Sequence, residues 1–104
     1  MKWVEIISLR CPRNIADARV SELLRGMRES GSGIDTAKYL AEIKVYHHST
    51  VETDLSIHIH WESEQGSQNK SPLGLRIYSA LRNLGLSNHS VWVETAALKF
   101  PLGT

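Results

Sequence analysis

One cysteine, Cys11, and one phenylalanine, Phe100, are all that 104 residues contain of either type. A single thiol excludes an intrachain disulfide and fits a reducing compartment. Charge of one sign is scarce as well. Twelve Lys and Arg against eleven Asp and Glu leave a formal net charge of +1, so no bulk field draws the chain to nucleic acid or to an acidic partner. No apolar run approaches the ~18 residues that cross a bilayer, which argues against a membrane partner. The opening stretch MKWVEIISLRCPR lacks the longer apolar region and small-residue cleavage site of a signal peptide. We therefore expect a soluble cytoplasmic protein. Repeats, linkers and low-complexity segments are missing too. What is present, 41% hydrophobic and 22% charged residues, is the balance of a globular chain, and the length suits one domain over residues 1–104.

Periodicity gives the elements. KWVEIISLR (2–10) is rich in β-branched residues and ends at Pro12, which has no amide for a ladder, so it predicts a strand. NIADARVSELLRGMRES (14–30) places Val20, Leu23, Leu24 and Met27 at helical spacing, with Asn14 as N-cap and GSG (31–33) as stop. KYLAEIKVYHHS (38–49) and DLSIHIHWESE (54–64) both alternate with period two across a short polar turn, which predicts a hairpin. Their apolar faces coincide only with a loop of three or five residues. SPLGLRIYSALRNLG (71–85) predicts a helix capped by Ser71, opened by Pro72 and closed by Gly85. Its apolar stripe is Leu73, Ile77, Leu81 and Leu84, and Gly74 weakens its first turn. LSNHS (86–90) reads as a loop and VWVETAALKF (91–100) as the last strand.

The order β-α-β-β-α-β predicts an α+β, ferredoxin-like fold: a four-stranded antiparallel sheet with both helices on one face. The other face is mostly polar in the hairpin, through Glu42, Lys44, Tyr46, His48, Ser56, His58, His60 and Glu62, with Leu40 in the same alternation. Its outer strands add either Trp3, Ile7 and Leu9 or Val4 and Ile6, and either Val91 and Val93 or Trp92, Ala96 and Leu98. Either choice leaves bulky apolar groups that no helix covers. Such a face invites a second sheet, so we expect a homodimer closed sheet to sheet, with His58, His60, Tyr46 and Lys44 in the contact.

That order, with IHIHWESEQG closing the third strand, resembles the dimeric α+β barrel superfamily, above all its antibiotic-biosynthesis-monooxygenase-like branch. Trp61 and Ser63 match a W-x-S that those proteins often show there. The resemblance implies sheet-to-sheet pairing into a barrel and a cofactor-independent monooxygenase-like activity, with no cofactor called for. Haem-degrading members carry a histidine on the second helix; residues 71–84 contain none, so haem degradation is not implied. The alternative is a non-catalytic ligand-sensing or interaction module of ferredoxin-like fold.

Several constellations are candidates for chemistry. His58 and His60 share a strand face with Cα atoms about 6.5–7 Å apart, a spacing that suits two zinc ligands, with His48, Glu42 or Glu62 as a third. Histidines on a polar strand face more often meet only water, so no metal is assigned. Trp61, facing the helices, reads with Tyr39, His47 and Tyr78 as the wall of a cleft for a small flat aromatic ligand. The alternative is that Trp61 finishes the core. Cys11 has no partner thiol and no histidine base, and reads as structural. Arg25 and Arg28 share a helix surface interleaved with Glu22 and Glu29, a solvated face rather than an RNA patch. The open face of the third strand shows no aromatic of the kind that stacks RNA bases.

Overall fold

The first strand, β1 (Lys2–Arg10), forms where its composition predicts and takes a central place in the sheet. The computed structural model describes residues 1–11, 16–30, 38–51, 53–64 and 69–101, with the backbone alone at 16, 17, 29 and 30. After β1 come α1 (Ala16–Ser30), β2 (Leu40–His47), β3 (Asp54–Glu62), α2 (Pro72–Leu81) with a 3-10 turn (Arg82–Leu84), and β4 (Leu86–Val93). The strands lie in the order β2-β3-β1-β4, every neighbour antiparallel. This is the ferredoxin-like topology expected from the sequence. The Asn14 cap and the Gly31–Gly33 stop lie outside the described residues.

The pleat of β1 decides both faces. Trp3, Ile7 and Leu9 turn inward, where they meet Leu55, Ile57, Ile59 and Trp61 of β3. Val20 and Met27 of α1 and Leu73, Ile77 and Leu81 of α2 close this core from the other side. The outer face receives Val4 and Ile6 from β1 and Trp92 from β4, since Val4 pairs with both His60 and Trp92. The hairpin register satisfies the parity rule. His47 pairs with Leu55, and His48 N–H donates to the Asp54 carbonyl at 2.9 Å, so paired positions sum to an even number. Arg10 and Asp54 close the far end of β1 and β3 with two contacts of 3.3 Å.

Two expectations are corrected. The last strand begins at Leu86, so LSNHS is its first half rather than a loop, and residues 94–101 follow it without regular structure. The polar letters Ser, Asn and His disguise a strand whose backbone pairs along most of β1. Leu40, expected on the outer face, is not there. A β-bulge between Leu40 and Glu42 pairs Leu40 with Trp61 and packs it against the core. One extra residue in a strand shifts the alternation by a face, so Ala41 is exposed instead.

The connection from α2 to β4 is tight. A Cβ at Gly85 would collide with the backbone of Arg10 and Cys11, which leaves room for glycine alone. Cys11 itself is 1% exposed and unpaired with any other cysteine.

Candidate functional site

Inward residues along β1 run Trp3, Glu5, Ile7, Leu9. The pleat that buries three apolar side chains therefore buries a carboxylate with them, and Glu5 is 0% exposed. Removing an ion from water costs several kcal/mol unless hydrogen bonds replace its hydration, and Glu5 is well supplied. Trp61 Nε1 donates to Oε2 at 2.8 Å, and the Ser71 backbone N–H donates to Oε1 at 2.8 Å. Ser71 Oγ also donates to Oε2, its hydrogen free because the oxygen accepts the Gly74 N–H at 2.9 Å. The fourth partner is His89, whose Nε2 lies 3.0 Å from Oε1. With three hydrogens directed at the carboxyl oxygens, those oxygens act as acceptors, and Nε2 brings a hydrogen of its own.

Each element of this cluster has a local cause. In the register, His89 lies opposite Ile7 and Trp61 opposite Trp3. Both are diagonal cross-strand neighbours of Glu5, a separation of about 7–8 Å that long side chains bridge. Ser71 arrives as the N-cap of α2, with Pro72 next, so the cap that stops the helix also solvates the carboxylate. Tyr78, further along α2, stacks on the His89 ring with centroids 5.6 Å apart and planes 28° from parallel. Trp3 lies against Trp61 at 6.4 Å and 12°. His89 Nδ1 is buried and has no partner among the described residues.

Gly74 explains how a helix comes this close. A Cβ there would collide with Glu5 Oε1 and stand 3.0 Å from His89 Nε2. Gly74→Ala gains about 1 kcal/mol of helix propensity but must overpack a rigid, hydrogen-bonded carboxylate, at about 1–3 kcal/mol. We expect a net loss of stability, read as a lowered urea midpoint with an unchanged slope. A stabilised variant would place α2 farther from β1 than it is here.

The residues singled out in the sequence divide between the faces. Trp61 and Tyr78 belong to one cluster, linked through Glu5 and His89. Tyr39 is 38% exposed with Lys38 over its ring, joined to the strand end through its carbonyl, which accepts the Glu62 N–H at 3.0 Å. His47 pairs with Leu55 at the opposite end of β3, about 20 Å from Trp61 at strand rise. Those four side chains therefore do not wall a single cleft.

Lys44, Tyr46, His58 and His60 do come together on the outer face. Lys44 pairs with His58, and the Tyr46 and His60 rings lie 4.7 and 6.2 Å from the His58 ring. Burial, with the nearby His60 and Lys44 charges, holds His58 below the usual histidine pKa. His48, a candidate third metal ligand, is engaged elsewhere: its Nδ1 accepts the Thr50 and Val51 N–H groups at 3.1 Å, pinning the hairpin loop. Among the described residues no group of three His, Cys, Asp or Glu is arranged to hold a metal. Shallow depressions of about 450 and 470 Å³ lie at the two ends of this face, the second lined by Val4, Glu42, His60 and Trp92.

Sequence reasoning missed Glu5 and His89 and saw Ser71 only as a cap. For Glu5 the signal was its place in the inward set of β1. For His89 there was none once LSNHS was read as a loop.

Comparison with known proteins shows the fold. No family model matches the chain, and no curated protein is detectably similar to it in sequence. Solved structures do match. Rv0793 from Mycobacterium tuberculosis superposes with a TM-score of 0.60 at 14% identity, over 95% of this chain and 100% of that one. SnoaB from Streptomyces nogalater, a cofactor-independent oxygenase solved as a point mutant, gives 0.58 at 11% identity, over 93% and 96%. A Bordetella bronchiseptica protein classed provisionally as an antibiotic biosynthesis monooxygenase gives 0.60 at 9% identity, over 91% and 98%. The chain has the fold of these proteins, the one its resemblance implied. Among the described residues no helix is long and apolar enough to cross a membrane.

Proposed function

We propose that this chain is a small oxygenase that acts on a flat phenolic aromatic without a bound cofactor, as a homodimer. The observation that supports it most is Glu5. A core on this fold buries hydrocarbon more cheaply than a carboxylate, yet Glu5, Trp61, Ser71 and His89 are held together in it by hydrogen bonds. A carboxylate and an imidazole joined in a core are candidates for chemistry, and SnoaB lends the reaction class by likeness of fold alone. The chemistry balances without an external reductant: a phenol and O2 give a quinone and water, one oxygen atom entering the ring and the other leaving. The protein's part is to orient the ring, exclude water and place the polar groups.

The pairing is supported by the outer face. Val4, Ile6 and Trp92 form an apolar strip beside the histidines, and Trp92 is 61% exposed. Covering such a strip gains about 25 cal/mol per Å² of apolar area before ordering costs.

Oxygen uptake in the presence of naphthols, quinols and anthrones, after treatment with chelator, tests the activity. We expect uptake matched by quinone formation, lost in Trp61→Phe, which removes the N–H but keeps an aromatic ring, and retained in Cys11→Ala. Binding of the same compounds without uptake would instead favour a ligand-sensing module.

A further inference from the structure

Resting on the pairing proposed above, we infer that His58 and His60 are half of a structural zinc site, completed by the same two residues of a second copy. Their place in the sheet leads there. The strands lie in the order β2-β3-β1-β4, so the middle of the sheet falls between β3 and β1. The ladder joining those strands runs from Lys2↔Glu62 to Arg10↔Asp54, and its central pair is Ile6↔His58. His58 therefore stands at the middle of the outer face, and His60, opposite Val4, is the next outward residue along β3. Two copies that meet through one shared face do so about a two-fold axis, and residues at the axis meet their own counterparts. Facing sheets stand about 10 Å apart, a gap that one imidazole from each side spans with an ion between them.

The donor set suits zinc. The two rings have centroids 6.2 Å apart and planes 39° from parallel. Imidazoles sharing one tetrahedral zinc, with nitrogen about 2 Å from the metal, have centroids about 5 Å apart, so a small side-chain rotation closes the chelate. His58 Nε2 bonds to Ser56 Oγ at 2.9 Å. Such an outer contact orients a ligating ring and leaves its other nitrogen for the metal. His60 Nε2 has no partner among the described residues, so turning it toward an ion breaks no hydrogen bond. Lys44, opposite His58, opposes a cation, and Glu42, 3.8 Å from the Lys44 ammonium and opposite His60, offsets it.

The surroundings suit it too. Val4, Ile6 and Trp92 beside the pair supply an apolar shell. His60 lines the depression of about 470 Å³, which gives an ion a way in from solvent. Among the described residues one chain offers no third ligand. The four nitrogens of a closed structural site therefore need the second copy. On the face opposite Glu5, the ion holds two sheets together and takes no part in the oxygenase reaction.

The test uses zinc alone. Metal-free protein is sedimented with and without zinc, and the bound zinc is counted. We expect one zinc per two chains. The dimer Kd should fall about 100-fold when zinc is about 100 times its own dissociation constant. Co2+ in its place should show the strong visible bands of a tetrahedral site. His58→Gln and His60→Gln are each expected to lose both the zinc and the tightening, while His47→Gln, at the end of β2, keeps both. No zinc bound, one zinc per chain, or equal uptake by wild type and both variants overturns the inference. A wild type that pairs without taking up zinc removes the metal and leaves the pairing standing. A chain that stays single with and without zinc removes both.

Discussion

Glu5→Ala should lose several kcal/mol of stability, because it strands the Trp61 and Ser71 donors in a buried place at about 1–3 kcal/mol each. A domain of this size has about 5–15 kcal/mol in all, so the variant is expected to melt far below wild type or to be partly unfolded. The more informative variant is Glu5→Gln, because it keeps size and shape. A glutamine presents one acceptor oxygen and one NH2 group. If the NH2 stands at Oε1 it faces the Ser71 N–H; if it stands at Oε2 it faces the Trp61 N–H. Either way two donors oppose each other in a buried place, at about 1–3 kcal/mol. His89 can relieve its own contact by switching tautomer, but a backbone amide and an indole cannot. Urea titration of the three proteins measures this. A Gln variant as stable as wild type would mean that the donors do not converge on Glu5.

Trp92→Glu should act on association and leave the fold nearly untouched. Trp92 is 61% exposed and its indole donates to nearby Ser90 at 2.9 Å, so the isolated chain loses little. If two copies meet across this face, a buried tryptophan anchor is worth about 2–4 kcal/mol, or roughly 30- to 1000-fold in Kd. Sedimentation at equal concentrations should show the wild type paired and the variant single. The same face should respond to pH through His58, whose pKa is lowered by burial first and by the His60 and Lys44 charges next. A histidine held below its ordinary value binds fewer protons folded than unfolded. Its contribution is complete above the ordinary value of about 6.5 and is lost as pH falls from there toward the folded value. Pairing would bury His58 further, with His60, Lys44, Tyr46 and Glu42 around it on β2 and β3, and would extend that sign to the dimer. Wild type should therefore dissociate more at pH 5.5 than at pH 8, and His58→Gln should flatten the difference. A single particle at both pH values, with Trp92→Glu indistinguishable from wild type, would remove the pairing.

The fold was legible because most of its elements obey one rule each. β1, the hairpin and α2 have alternation, parity and a serine cap that need no tertiary knowledge. Two places broke those rules, and both concern the site. Ala41 is a bulge, and a one-residue insertion inverts the faces on either side of it without any letter that announces it. β4 begins with Leu86, Ser87, Asn88, His89 and Ser90, a composition that local propensity assigns to a loop. Only pairing with β1 makes it a strand, and only then does His89 reach Glu5. Glu5 itself was readable, since it shares the inward parity of Trp3, Ile7 and Leu9. Inferring its partners needed the register of two strands and the cap of a helix at once. The outer-face group of Lys44, Tyr46, His58 and His60 followed from the alternation of the hairpin alone.

The separation between Glu5 and His89 has a bearing on how the chain is made. They are 84 residues apart, so on the ribosome the carboxylate leaves the exit tunnel long before its imidazole partner. Until β4 emerges, β1 has one unpaired edge and Glu5 stays in water. Contacts of such span are slow, because the whole intervening loop must be closed before they return anything. A chain made only as far as α2 thus holds Glu5 with the Trp61 and Ser71 donors in reach but without the imidazole that completes its hydrogen bonds.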